Sequence, residues 1–147
     1  MRAEFSITTY MSDVQETFFT AVGCMDGRVQ SVIAKFGQDK FHAEYQDTIT
    51  EAGLVGVLAK DDVDPKFMAG ITTKVVAVSI GKHHSAGVVV HGHQECAGNP
   101  VSETQHIQDI KKSVEVISAL VGKKVPVVGV FVKRSTKNPR LWRAKVV

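Results

Sequence analysis

The sequence predicts an α/β protein in which a mostly parallel β-sheet is flanked by helices. Short apolar segments rich in β-branched and aromatic residues alternate along the chain with longer amphipathic segments of helical period. Both cysteines follow segments of the first kind, where an open α/β sheet collects its ligands. A length of 147 residues with 44% hydrophobic and 22% charged side chains predicts a single domain over residues 1–147.

The first half of the chain contains two predicted strands and two predicted helices. Residues 18–23 form a strand, because they are short, aromatic and β-branched. Residues 29–36 have the apolar spacing of a helix, and Gly37 suits its C-cap. Residues 47–50 are a short strand, and residues 52–59 form a helix despite glycines that each cost about 1 kcal/mol in a helix interior.

A longer helix and a buried strand follow. Asp64 suits a helix N-cap and Pro65 the first helical position, so a helix is predicted to begin here and run to about Gly81. Residues 88–90 are wholly apolar and form a predicted strand that leads directly into residues 91–93, His-Gly-His.

The strongest amphipathic pattern lies in the last third of the chain. Asn99 and Pro100 resemble another helix opening. Apolar residues then recur at spacings of three and four, at Ile107, Ile110, Val114, Ile117 and Leu120. Residues 126–132 form a buried strand, and residues 141–147 a final one.

Charge and hydropathy exclude several classes of partner. Eighteen basic and fifteen acidic residues leave a net charge of +3 that is spread along the chain, which predicts no nucleic-acid partner. The basic concentration at residues 133–143 is predicted to be a solvated edge or loop. No segment reaches the roughly 18 apolar residues of a membrane helix, and the N-terminus with Glu4 lacks a signal peptide's apolar core. We therefore expect a cytoplasmic protein with no membrane partner.

A reducing compartment disfavours a disulfide between Cys24 and Cys96, and favours metal binding or reactivity. His93 and Cys96 lie three residues apart after a strand, so both could bind one ion, with Cys24 as a third ligand. Two thiolates and one imidazole suit zinc, which keeps an open position in catalytic sites. The spacing to Cys96 favours His93 over His91, which we expect to pack or hydrogen-bond near the strand. The alternative is two buried free cysteines that act as small hydrophobes.

The residues around these candidate ligands narrow the interpretation. Asp26 and Arg28, two apart at a strand exit, can face one pocket and form a bidentate ion pair. The motif at residues 24–28 (CMDGR), followed by a strand ending in residues 88–96 (VVVHGHQEC), resembles the β-class carbonic anhydrases. Their order, their separation and the α/β alternation fit that family over most of residues 16–135.

This resemblance implies a zinc-dependent enzyme that reversibly hydrates carbon dioxide to bicarbonate with a metal-bound hydroxide. Zn²⁺ would be held by Cys24, His93 and Cys96, and its fourth position by water or by Asp26. Arg28 would pair with Asp26 and draw it off the metal. The family pairs its sheets across a two-fold axis, so we expect a homodimer or a dimer of dimers.

One segment departs from the family pattern. Residues 50–54 (TEAGL) stand where the family has Arg-Asn-Ala-Gly-Gly, so the carboxylate Glu51 replaces a neutral amide. The two residues after the second cysteine are Ala97 and Gly98. Because the metal ligands are intact and the substrate pocket is altered, two alternatives stay open. One is a non-catalytic zinc-binding homologue, and the other is a zinc hydrolase that acts on CS₂ or COS.

Five further side chains are predicted to lie outside the chemistry. His83 and His84 follow a helix end, where capping at the surface is favoured over proton shuttling. Glu95 is expected to be a loop carboxylate. Trp142 and Phe131 are expected in the core or an interface.

Overall fold

The computed structural model describes residues 14–147, and their strands form one five-stranded sheet in the order β2-β1-β3-β4-β5. The strands are β1 Phe18–Cys24, β2 Tyr45–Glu51, β3 Val88–His93, β4 Val127–Arg134 and β5 Trp142–Val146. The first four are parallel and β5 is antiparallel to β4, which confirms a mostly parallel sheet. The N-terminal segment for which we predicted no signal peptide lies outside the described residues.

Helices cover both faces of this sheet, as the sequence predicted. They are α1 Gln30–Phe41, α2 Leu54–Leu58, α3 Pro65–Thr72, the π-helix Thr73–Ile80 that continues α3, and α4 Glu103–Val121. Helix α1 packs alone on one face, where Ile33 meets Phe19, Val89 and Val130. The other helices pack on the opposite face in a second apolar cluster. Within the described part of the chain, no helix combines the length and the apolar character that a membrane crossing requires.

Helix α1 does not end at Gly37, and this prediction was wrong. The helix continues to Phe41, and His42 closes it in the left-handed conformation with φ of 52°. Gly37 instead lies where α1 crosses β1, because a Cβ atom at this position would overlap the Phe19 ring. Close packing of the helix on the sheet therefore explains this glycine. The sequence alone does not distinguish such a glycine from one that caps a helix.

The opening of α4 was also predicted too early. The helix begins after Ser102, whose hydroxyl accepts a hydrogen bond from the Gln105 backbone N–H at 3.1 Å. Asn99 is buried outside the helix, and its amide donates to the Asp109 carboxylate at 3.0 Å. The Asn99–Pro100 pair therefore belongs to the loop that brings α4 back over the sheet.

Other elements differ from prediction mainly at their ends. Helix α2 is shorter than the predicted 52–59, because Gly53 adopts a left-handed φ of 60° and starts it late. The helix predicted over 64–81 forms, although Asp64 makes no side-chain capping bond and the second half is π-helical. Strand β2 extends beyond the predicted residues 47–50 at both ends, which the prediction missed because polar side chains there do not resemble a strand. Strand β3 extends beyond the predicted residues 88–90 through His93.

Candidate metal centre

The three candidate ligands are placed by the carboxyl ends of neighbouring strands. Cys24 is the last residue of β1 and His93 the last residue of β3. These strands are adjacent and parallel, with Gly23 opposite His91, so their ends meet at one edge of the sheet. Cys96 lies three residues further along, in the loop that leaves β3. The sheet therefore brings together residues that are about 70 positions apart in the chain.

The geometry of this cluster fits a metal ion. One ligand atom from each of Cys24, His93 and Cys96 lies within 4.8 Å of the others, and all three residues are buried. The two Sγ atoms are 3.7 Å apart. His93 Nδ1 lies 2.8 Å from the Gln94 carbonyl oxygen, which fixes the ring. Its buried Nε2 has no hydrogen-bond partner among residues 14–147 and is available as a ligand.

Electrostatics prepare the cluster for a cation. Burial raises the pKa of the Cys24 thiol, but the His93 imidazole and the Gly53 backbone N–H outweigh it and lower that pKa from 9.0 to about 7. Burial raises the pKa of Cys96, and the negative charge on Cys24 raises it further. Cys24 therefore loses its proton before Cys96 does. The Cys96 thiolate forms most readily when a cation compensates its negative charge.

Two glycine-containing segments pack against each other beside the Cys24 sulfur. Gly53 has a φ of 60° and its backbone N–H donates to Cys24 Sγ at 3.4 Å. A Cβ atom at Gly53 would overlap the Gly98 backbone, and one at Gly98 would overlap the Ala52 backbone. The two segments thus pack backbone against backbone, which explains the glycine in each of them.

We expect Gly53→Ala to lower the free energy of unfolding by about 1–3 kcal/mol, because it adds strain at positive φ and a clash with Gly98. Gly70→Ala is the matched control, since Gly70 lies inside α3 with nothing within 4 Å of an added Cβ. This control is expected to raise stability by about 0.4–1 kcal/mol. Urea unfolding of both variants tests the pair, and equal effects would contradict the packing described.

Asp26 and Arg28 form the predicted ion pair beside the cluster. Arg28 Nη2 donates to Asp26 Oδ2 at 2.7 Å and Arg28 Nε donates to Oδ1 at 3.0 Å. The Arg28 guanidinium is the main cause that lowers the pKa of Asp26 from 3.8 to about 2. The same Oδ2 lies 3.8 Å from His93 Nε2. An ionised carboxylate therefore borders the three candidate ligands, while an arginine holds both of its oxygens.

Two side chains next to this ion pair, Glu95 and Trp142, were misjudged from the sequence. Glu95 is not an isolated loop carboxylate, because Arg134 Nε donates to it at 2.7 Å. Trp142 is half-buried, and the guanidinium carbons of Arg28 and Arg134 lie 5.1 and 4.3 Å from its ring centroid. The register of β5, which places Trp142 opposite Arg134, was the missing information. Phe131 is buried in the core, as expected.

The other histidines considered from the sequence have different surroundings. His91 is fully buried with its ring against Gly23, and burial is the main cause that lowers its pKa to about 3. It therefore packs as a neutral imidazole. His83 Nδ1 lies 2.8 Å from an Asp47 carboxylate oxygen, and its ring stacks on Phe18. Phe18 begins the strand that Cys24 ends, so His83 lies roughly 20 Å from the cluster.

Glu51, the departure from the family pattern, lies directly beside the cluster. It is the register partner of Cys24, and its carbonyl oxygen accepts from the Met25 backbone N–H at 3.1 Å. Its side chain is exposed.

A cavity of about 470 Å³ opens next to the cluster. His93 and Cys96 form part of its wall, together with the loop after β3 and the start of α4. The other lining residues are Gln94, Glu95, Ala97, Asn99, Pro100, Val101, Glu103, His106 and Phe131. The candidate metal centre is therefore next to a space that admits a small molecule, which is the arrangement of an active site more than of a closed structural site.

Fold and site together define an α/β protein with a candidate metal-binding cluster of two cysteines and one histidine at the carboxyl edge of its sheet. A family model described as "Putative carbonic anhydrase" matches residues 14–141, and the chain belongs to this family. The α/β architecture is accordingly that of a β-carbonic-anhydrase-like domain. A search of curated proteins gives no significant match.

Proposed function

We propose that this protein reversibly hydrates carbon dioxide to bicarbonate, with Zn²⁺ held by Cys24, His93 and Cys96. The observation that carries this proposal is the buried thiol–thiol–imidazole cluster bordered by a carboxylate that an arginine holds. Membership of the carbonic anhydrase family supports it independently. When bound there, zinc would supply a Lewis acid that makes a water molecule acidic enough to attack carbon dioxide near neutral pH.

Asp26 and Arg28 are the residues to which we assign the catalytic roles. With its pKa lowered to about 2 by Arg28, Asp26 stays a carboxylate across the neutral range and does not store a proton. Its Oδ2, 3.8 Å from His93 Nε2, is placed to accept a hydrogen bond from a nucleophile in the cluster and orient it. Arg28 holds both carboxylate oxygens and keeps them from the ligand positions.

Carbon dioxide hydration measured on zinc-loaded protein tests this function, with Cys96→Ser as the control that lacks a ligand. We expect zinc-dependent hydration in the wild type and background rates in the control. The exposed Glu51 beside Cys24 departs from the family pattern, so the experiment also tests two alternative functions. A protein that binds zinc but hydrates nothing would support a non-catalytic homologue. Hydrolysis of CS₂ or COS without carbon dioxide hydration would support the hydrolase.

We further propose that the protein is a homodimer or a dimer of dimers. Among the described residues, β2 pairs only with β1, and Tyr45 on it is exposed. Of its two acidic residues, Asp47 contacts Ser79 and His83 with its carboxylate, and Glu51 is the last residue of the strand. The opposite edge strand β5 carries Arg143 and Lys145, which oppose strand pairing. The β2 edge is therefore the more open surface for a second copy.

Light scattering at micromolar concentration tests this assembly, and we expect a dimeric or larger mass. Tyr45 directs its backbone N–H to Thr17, so by alternation the Thr48 N–H points away from β1. Thr48→Pro removes that donor and is expected to shift the mass toward the monomer. A monomeric wild type would contradict the proposal.

We also propose a cytoplasmic location and one domain over residues 1–147. Cys24 and Cys96 are free thiols 3.7 Å apart, and a reducing compartment favours keeping such a pair available for metal. Cell fractionation tests the location.

A further inference from the structure

The Arg28 guanidinium contacts more than Asp26. Its Nη2 also donates to the Glu95 backbone carbonyl at 3.2 Å, and its Nη1 lies 3.6 Å from a Glu95 carboxylate oxygen. Its carbon Cζ lies 5.1 Å from the centroid of the Trp142 ring, within the range of a cation–π interaction. The side chain that holds Asp26 is therefore itself held from two further directions.

Trp142 is fixed in turn by the sheet and by a second arginine. It is the first residue of β5 and the register partner of Arg134 on β4. The Arg134 guanidinium carbon lies 4.3 Å from the ring centroid. The ring also packs on the apolar cluster that the partly buried Val32 and Phe36 of α1 contact. These contacts give the indole one defined orientation at the edge of the sheet.

Glu95 connects the same two arginines to the loop that carries Cys96. Its carboxylate accepts from Arg134 Nε at 2.7 Å and from Arg134 Nη2 at 3.2 Å. Its backbone adopts a left-handed φ of 60°, which a non-glycine residue rarely takes unless surrounding contacts hold it. The loop, Arg134 and Trp142 thus form one connected support around the Arg28 guanidinium.

We propose that Trp142 is a positioning residue, whose indole, together with the Glu95–Arg134 pair, holds the Arg28 guanidinium in the plane that keeps Asp26 in place. Arg28 touches Asp26, and Trp142 reaches Asp26 through Arg28. The Trp142 ring also lies edge-on to the His93 ring, with the ring centroids 6.4 Å apart. For catalysis this inference rests on the proposed function, since it assigns a support to the catalytic ion pair. The rival role for Trp142 is simple apolar packing of β5 against α1.

Two substitutions separate these roles. Trp142→Leu keeps an apolar side chain and removes the aromatic face, whereas Trp142→Phe keeps a face that a guanidinium can contact. We expect Trp142→Leu to lower kcat/KM for carbon dioxide hydration by about threefold to tenfold, and Trp142→Phe to restore most of it. Arg143→Ala, on the same strand and without a contact to Arg28 among the described residues, is expected to keep the wild-type rate.

A spectroscopic measurement removes the dependence on rate. With Co²⁺ in place of zinc, the visible spectrum reports the ligands of the metal. We expect Trp142→Leu to shift this spectrum in the direction that Arg28→Ala shifts it, because both release Asp26. Arg143→Ala is expected to leave the spectrum unchanged.

A further measurement needs neither metal nor catalysis. The chain has one tryptophan, so its intrinsic emission reports Trp142 directly. We expect Arg28→Ala and Arg134→Ala each to move the emission to longer wavelength, because water replaces a guanidinium beside the ring. Arg143→Ala is expected to cause no shift.

The outcomes distinguish this inference from the proposed function. The positioning role would be overturned by three results together. These are equal hydration rates for Trp142→Leu and the wild type, an unchanged cobalt spectrum in Trp142→Leu, and an unchanged tryptophan emission in Arg28→Ala. Equal losses in Trp142→Leu and Trp142→Phe would also overturn it in favour of packing. A wild type that hydrates no carbon dioxide would refute the proposed function, while the cobalt spectra and the emission would still decide the role of Trp142.

Discussion

Arg28→Ala is expected to lower carbon dioxide hydration by about tenfold or more, at least about 1.4 kcal/mol of barrier, while zinc content stays near that of the wild type. Arg28 makes a bidentate contact to Asp26, whose Oδ2 lies 3.8 Å from His93 Nε2. Without the guanidinium, nothing opposes the charge attraction between Asp26 and a metal ion in the cluster. The carboxylate would then compete with water for the fourth ligand position. Stopped-flow hydration and elemental analysis on one preparation measure both quantities.

The contrast between rate and metal content makes this prediction specific. Arg28→Lys keeps the charge but not the bidentate geometry, and is expected to recover only part of the activity. The account of the ion pair is wrong if Arg28→Ala keeps full activity, or if it loses zinc as readily as a ligand variant.

Cys96→Ser is expected to lose zinc and hydration activity together. Cys96 Sγ is buried within 4.8 Å of the other two candidate ligand atoms, and a serine hydroxyl is a far weaker zinc ligand than a thiolate. We expect zinc affinity to fall by about 100-fold or more, beyond what loss of a supporting hydrogen bond costs. Competition with a chromophoric chelator measures the affinity. Retention of tightly bound zinc would show that Cys96 is not a ligand.

Together these two variants separate binding from positioning. Arg28→Ala removes a group that lies outside the ligand cluster, and Cys96→Ser removes a member of it. Parallel loss of metal in both would indicate that the ion pair supports the fold of the site and not its chemistry.

The class of the fold and the composition of the site could be predicted because both depend on local patterns. Short apolar strands identify the parallel sheet, and ligands at the carboxyl ends of parallel strands meet at one edge. Cys24 ends β1 and His93 ends β3, so knowing the strands was nearly enough to place them together. The spacing of Asp26 and Arg28 likewise predicted a pair that local backbone geometry forms.

The remaining features depend on contacts between distant segments. The approach of α1 to Phe19 decides the role of Gly37, and a glycine in sequence does not reveal what it faces. The register of β4 and β5 decides which residues stand beside Trp142, and a one-residue shift would turn that ring to the other face. The contacts that support the Arg28 guanidinium therefore could not be predicted from the sequence, although every residue that makes them is present in it.

Metal analysis of the purified protein, combined with zinc-edge X-ray absorption, tests the central claim most directly. The account predicts about one zinc per chain, with two sulfur ligands near 2.3 Å and a nitrogen ligand near 2.0–2.1 Å, roughly the distances of thiolate and imidazole zinc sites. A protein that carries no metal, and whose Cys24 and Cys96 are freely alkylated in the native state, would contradict it.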